Sequence, residues 1–145
     1  MKAVIQRVLE ASVTIDGKVV SEIKNGLLIL VGIVADDTKE DINWLSKKIV
    51  NLRIFNDENG VMNNSLIAID GDAIIVSQFT LQASTKKGNR PSYIQAAKPE
   101  TAIPIYEQFI KQFEKDLSYG VVVNPVKTNK VTFSPGDKII VFSED

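Results

Sequence analysis

The chain of 145 residues contains no cysteine and no histidine. Without cysteine there is no disulfide framework, no thiolate nucleophile and no zinc–thiolate site. Without histidine there is no Ser-His or Cys-His pair, no imidazole metal ligand and no side chain that ordinarily acts as a base near neutral pH. Chemistry must therefore come from carboxylates, hydroxyls, lysines, backbone groups or the substrate itself. Glycine-rich phosphate motifs are absent as well, and nothing in the composition asks for a cofactor or metal. No apolar run approaches the roughly 18 residues that span a bilayer. The opening MKAVIQRVLEASVTI alternates and carries charges, unlike a signal peptide. A cytoplasmic protein with no membrane contact is expected. The formal net charge of −1 argues against a strongly basic nucleic-acid coat but leaves room for a local basic patch.

What is present is ordinary for a folded domain: 44% hydrophobic and 24% charged residues. The length suits one domain spanning 1–145 with a single core. Residues 2–14 alternate as one strand. Asp16-Gly17 is a hairpin turn signal leading to a strand over Val19–Ile23. Leu27–Val34 is a continuous apolar run of strand length, which indicates burial on both faces. Thr38, with Asp41 three residues on, forms a capping box for a helix. Its stripe is Ile42, Leu45, Ile49 and Leu52, and its end falls near Phe55. Ile67 and Ile69 suggest a short strand, and Asp70-Gly71-Asp72 turns into a strand from Ala73. A second helix begins at Pro99, buries Ala102, Tyr106, Phe109, Phe113 and Leu117, and has Gly120 as its C-terminal cap. Three short strands follow, around 121–123, 131–133 and 139–142. The pattern is mixed α/β, with largely antiparallel, barrel-like sheets and two packed helices. The acidic pairs Asp36-Asp37 and Asp57-Glu58 read as solvated turns and caps.

The stretch VSQFTLQASTKKGNRPSY, residues 76–93, carries the chemistry. Read as one strand from Ala73 to Leu81, both faces begin apolar and then take up polar residues, Ser77 on one and Gln78 and Thr80 on the other. A strand leaving the core, with Ser77 and Thr80 satisfying the last backbone groups, accounts for this. So does a site built at the end of a buried strand. Thr80 has no adjacent base, and Gln78 takes no proton at neutral pH. A mechanism here must use positioning, backbone N–H groups facing an oxyanion, or a base on the substrate. Lys86, Lys87 and Arg90 put three cations in five residues. They fit either a solvated hairpin tip or contacts to phosphates.

These blocks, together with MKAVIQRVLEASVTIDG, GLLILVGI and KKIVNLRIFNDENGVMNNSL, resemble the D-aminoacyl-tRNA deacylases of the D-tyrosyl-tRNA deacylase type over roughly residues 1–115. The resemblance implies a homodimer with active sites at the subunit interface. It implies hydrolysis of the ester joining a D-amino acid to the terminal adenosine of tRNA. Ser77, Gln78, Phe79 and Thr80 match the family's first motif, which holds that adenosine and the ester. Thr80 stands where the family has either a nucleophile or a group positioning a substrate activated by the RNA's own 2′-hydroxyl. Arg7 matches an arginine that steadies the second motif. That second motif, a Gly-Pro near the C-terminus that rejects L-amino acids, is not matched. Here the chain reads YGVVVNPVKTNKVTFSPGDKIIVFSED, in which Asn124-Pro125 has the proline without the glycine and Ser134-Pro135-Gly136 reverses the order. The difference leaves open an altered or inactive homologue that binds RNA or protein.

Overall fold

The computed structural model describes residues 1–118 and the strand segments 122–123, 130–131 and 138–143. Four strands come first: β1 (Lys2–Val8), β2 (Ala11–Ile15), β3 (Lys18–Ile23) and β4 (Gly26–Gly32). Helix α1 (Lys39–Asn51) follows, then β5 (Phe55–Asn56), β6 (Met62–Asn64) and β7 (Asp72–Ser77). After a 3-10 turn at Phe79–Gln82 come α2 (Pro99–Leu117), β8 (Val122–Val123), β9 (Lys130–Val131) and β10 (Lys138–Ser143). The main sheet has the order β10-β1-β4-β7-β8. A second sheet has the order β3-β2-β9, and β5 pairs with β6. Only the β4–β7 and β7–β8 pairings are parallel among the described residues. The fold is the expected mixed α/β with two helices, but among the described residues the main sheet is open, with β10 and β8 at its edges, rather than a closed barrel.

The main sheet is buried on both faces, and β4 supplies both. Leu27, Ile29 and Val31 join Ala3, Ile5, Ala73 and Ile75 in one cluster with Ile42, Leu45 and Ile49 of α1 and Phe109 and Phe113 of α2. Leu28 and Ile74 point the other way, onto Val8, Ala11, Val13 and Ile23. The side-chain period of two thus places the helices on one face and the small sheet on the other. Phe109 and Phe113 are fully buried; each such side chain contributes on the order of 1.5–3 kcal/mol.

Local signals explain most boundaries. Asp16 and Gly17 both take positive φ, and Ile15 pairs with Lys18 across them, giving the two-residue hairpin. The Thr38 hydroxyl and the Asp41 carboxylate cap α1 reciprocally, completing the capping box. Pro99 opens α2.

Several boundaries differ from the sequence reading. The first apolar stretch is two strands. Val8 packs into the small-sheet cluster, Leu9 is exposed, and the chain crosses from one sheet to the other. α1 stops at Asn51, because Leu52 turns extended and Phe55 is drawn into β5 opposite Asn64. Ile67 and Ile69 lie in a turn, where Ile69 N–H donates to the Ser65 carbonyl and Gly71 N–H to Leu66; these local bonds displace strand pairing. Ser118, at φ 65°, takes the left-handed cap position of α2; Gly120 lies outside the described residues. Asp37 is not solvated. Its carboxylate is nearly buried, pairs with the Met1 amino group and accepts the Val34 N–H at 2.8 Å. Asp57 does cap its own loop, accepting the Asn59 and Val61 N–H groups.

Candidate functional site

The strand carrying Ser77 ends earlier than its alternation suggests. In β7 the register runs from Gly26 opposite Asp72 to Val31 opposite Ser77. Gln78 N–H then donates to the Val31 carbonyl at 2.7 Å, and the chain curls into the 3-10 turn Phe79–Gln82. Leu81 N–H returns to the Gln78 carbonyl at 3.2 Å, and Ala83 N–H to Thr80 at 3.1 Å. The two-face alternation therefore does not extend past Ser77. Polar residues end the strand because the backbone leaves the ladder there and turns on itself.

Curling concentrates the motif. The Gln78 carboxamide donates to the Thr80 hydroxyl oxygen, which leaves the Thr80 O–H free to donate outward. No carboxylate, lysine or arginine is bonded to that hydroxyl among the described residues. The N–H groups of Phe79 and Thr80, at the start of the turn, bond to no acceptor among the described residues. Two successive backbone donors at the start of a helical turn are suited to an oxyanion. Phe79 is 56% exposed and meets Tyr93 edge-on, with ring centroids 5.4 Å apart at 70°. An exposed aromatic face beside polar donors suits a flat base.

The backbone of β4 permits this approach. A Cβ on Gly32 would lie 2.8 Å from the Leu81 Cβ and 3.2 Å from the Gln78 carbonyl oxygen. Gln82, only 3% exposed, donates its carboxamide to the Gly32 carbonyl at 2.9 Å. The turn is therefore tied to β4 at Val31 and again at Gly32.

The basic loop follows directly. Ser84 and Ser92 exchange both backbone hydrogen bonds, at 2.8 and 2.9 Å, and so close a tip that carries Lys86, Lys87 and Arg90, all exposed. Gly88 takes φ +83° at its apex. Ala97 N–H donates to the Ile33 carbonyl, which brings the far side of this segment back to the end of β4. Ser77, Gln78, Phe79 and Thr80 are thus brought together, with the cationic tip on the same excursion of chain.

Arg7 is not among them. It stands opposite Leu27, at the other end of β4 from Val31 and Ser77. Its guanidinium donates to the Ile54 carbonyl at 2.6 Å and to Asn56 Oδ1 at 3.0 Å, and lies 5.4 Å over the Phe55 ring. Within one chain it fastens the segment after α1. Pro125 lies outside the described residues. Sequence reasoning misses the roles of Tyr93, Gln82 and Gly32. Tyr93 closes the 76–93 stretch, and Gln82 is a polar residue between Leu81 and Ala83, but only the fold shows what each meets. The described residues contain no group of three carboxylates placed to hold a metal, and no helix among them is long and apolar enough to cross a membrane.

This arrangement can bind an ester-bearing nucleotide end: donors for a developing oxyanion, an aromatic face for a base and cations for phosphates. Comparison with known proteins places the chain in a family. Residues 4–133 match the model of the D-Tyr-tRNA(Tyr) deacylase family. A D-aminoacyl-tRNA deacylase of Christiangramia forsetii is 58% identical over 144 residues, covering 97% of this chain and 96% of that protein. One of Flavobacterium psychrophilum is 67% identical over 121 residues, covering 83% and 81%. Among solved structures, that of a "c-Myc DNA Unwinding Element Binding Protein" superposes with a TM-score of 0.87 at 34% identity, covering 99% of this chain and all of that one. A "probable eukaryotic D-amino acid tRNA deacylase" superposes at 0.80 with 13% identity over 97% and 98% of the two chains, a likeness of fold alone. The chain belongs to the D-Tyr-tRNA(Tyr) deacylase family.

Proposed function

We propose that the protein hydrolyses the ester of D-aminoacyl-tRNA, releasing the D-amino acid and free tRNA. The observation that carries this reading is the turn Phe79–Gln82, whose first two backbone N–H groups have no acceptor among the described residues, in the same turn as the Thr80 hydroxyl. It occurs in a chain whose relatives are named D-aminoacyl-tRNA deacylases.

In this mechanism the terminal adenine rests on Phe79 and Tyr93, and the ester carbonyl oxygen faces the N–H groups of Phe79 and Thr80. Water adds to the carbonyl carbon, and the neighbouring ribose 2′-hydroxyl takes its proton while giving up its own, because no protein base is bonded to the Thr80 hydroxyl among the described residues. The tetrahedral oxyanion accepts the two N–H bonds, then collapses and expels the ribose 3′-oxygen, which takes the proton released by the 2′-hydroxyl. Thr80, held by Gln78, orients the ester, and Ser77 lies at the open edge of the site. Lys86, Lys87 and Arg90 meet backbone phosphates of the acceptor end. No cofactor is required. The working form is a homodimer in the cytoplasm, a single domain per subunit, in which a second subunit completes the site. Arg7 supports it at a distance by fixing Ile54–Asn56.

Asn124-Pro125, which lacks the glycine of the family's Gly-Pro, favours a second reading in which rejection of L-amino acids is relaxed. A backbone wall against one enantiomer needs close approach, and glycine permits the closest. Incubation with D-Tyr-tRNA and with L-Tyr-tRNA separates these readings. Loss of the D-ester alone supports strict chirality, and equal loss of both supports the relaxed form. A folded dimer that hydrolyses neither sinks the enzyme reading in favour of an RNA- or protein-binding homologue.

A further inference from the structure

We propose that Gln82 is a positioning residue for the reaction, acting through the Gly32 carbonyl on the turn that carries Phe79 and Thr80. This rests on the deacylase reading for its effect on turnover, but its geometric content stands alone.

The turn is short and would be free to swing if held only where it leaves β7. Its entrance is fixed by Gln78 N–H on the Val31 carbonyl at 2.7 Å. Its exit is fixed by Gln82 Nε2 on the Gly32 carbonyl at 2.9 Å. Consecutive carbonyls of β4 thus grip the turn on either side of Thr80. Gln82 is 3% exposed, so its bond is sheltered from water. A long polar side chain buried at such a point costs desolvation and is retained only when its bond is made. Its carboxamide also packs where Gly32 has no side chain, since a Cβ there would lie 3.3 Å from Nε2. The two backbone bonds inside the turn, Leu81 N–H to Gln78 and Ala83 N–H to Thr80, close only while its two ends stay in register with β4. Loss of the Gln82 bond frees the exit. The N–H groups of Phe79 and Thr80 are then no longer held in place, a loss felt when an oxyanion forms rather than when the nucleotide binds.

The test replaces Gln82 by methionine, which keeps the length and removes the donor. Gln82→Ala serves as a second variant should the first fail to fold. Two quantities are read on the full chain: steady-state hydrolysis of D-Tyr-tRNA and amide hydrogen exchange by NMR. The expected result is a fall of about tenfold in kcat with KM within about twofold of wild type, as for one sheltered hydrogen bond. Exchange at Leu81 and Ala83 should accelerate by about tenfold while amides of α1 and α2 are unchanged. Unchanged exchange at Leu81 and Ala83 overturns the proposal, whatever the activity. So does an unchanged kcat, or a loss confined to KM, when the wild-type protein is active. If the wild type does not hydrolyse the ester, the deacylase reading fails separately and the exchange measurement alone decides whether Gln82 holds the turn.

Discussion

Replacing Gly32 by alanine adds one methyl group at the contact between β4 and the turn. The new Cβ would meet the Leu81 Cβ at 2.8 Å, the Gln78 carbonyl oxygen at 3.2 Å and the Gln82 Nε2 at 3.3 Å. Carbon atoms pack best at about 3.5–4.0 Å, so Leu81 must retreat by about 1 Å. Gly32 does not occupy the left-handed region, so the cost is steric and not conformational. Overpacking of this kind costs roughly 1–3 kcal/mol, and each kcal/mol lowers Tm by about 2–4 °C at this chain length. Leu81 directly follows Thr80, so its displacement passes to the N–H groups and hydroxyl that face the substrate. A misplacement near 1 Å can reduce turnover by about a hundredfold. Gly26→Ala provides the contrast. Its Cβ would fall 2.0 Å from the Asp72 carbonyl oxygen, at the opposite end of the β4–β7 ladder. That backbone atom cannot rotate away, so Gly26→Ala should prevent stable folding, whereas Gly32→Ala should fold and lose turnover. Thermal melts and D-Tyr-tRNA deacylation, measured on the same preparations, distinguish them. A folded Gly32→Ala protein with wild-type kcat would refute the argument that the β4 contact sets the site.

Other perturbations test separate parts. Thr80→Ala should slow turnover only about fivefold, the value of one modest hydrogen bond, if the RNA supplies the activating hydroxyl; complete loss of kcat with tRNA binding intact would instead make the threonine indispensable to the chemistry. Replacing Lys86, Lys87 and Arg90 together by alanine should weaken tRNA binding and flatten its salt dependence by about one unit of log–log slope for each phosphate no longer neutralised, while an unchanged slope would leave the loop a solvated tip. The hydroxyl and N–H of Thr38 hold the Asp41 carboxyl below its ordinary value of 3.8. The group is ionised and contributes stability above that pH, and the contribution is lost as pH falls through the lower folded value. Thr38→Ala should therefore cost about 1 kcal/mol near neutral pH, read as a lower Tm, and the gap to wild type should narrow in acid, where only the Asp41 N–H bond to the hydroxyl is left; a gap independent of pH would remove the carboxylate from the explanation.

The parts legible in the sequence are those written in adjacent residues. Asp16-Gly17 specifies its hairpin because both positions need positive φ. Thr38 and Asp41 specify a helix start because the cap is reciprocal over three residues. Leu27–Val31 specifies a doubly buried strand because both faces are apolar. Boundaries set by distant contacts are not legible there. The end of α1 depends on Arg7 reaching the Ile54 carbonyl and on Phe55 pairing with Asn64. The burial of Asp37 depends on the Met1 amino group, at the far end of the first strand. No window of local periodicity contains such pairs.

The same division runs through the candidate site. Ser77, Gln78, Phe79 and Thr80 stand out because their types break an apolar pattern, and the missing histidine turns attention from a protein base to backbone donors. Their arrangement is not legible, because a continued strand would place Gln78 and Thr80 on one face and Ser77 and Phe79 on the other. The parallel register that sets Ser77 opposite Val31 decides otherwise. It leaves Gln78 the last ladder bond and turns Thr80 back toward the Gln78 carboxamide. The chemistry is thus encoded in β7 and the turn, but its geometry is encoded in β4, by a glycine with no side chain and a carbonyl that accepts Gln82. A site of this kind gives itself away by its reactive residues and hides its alignment in plain backbone.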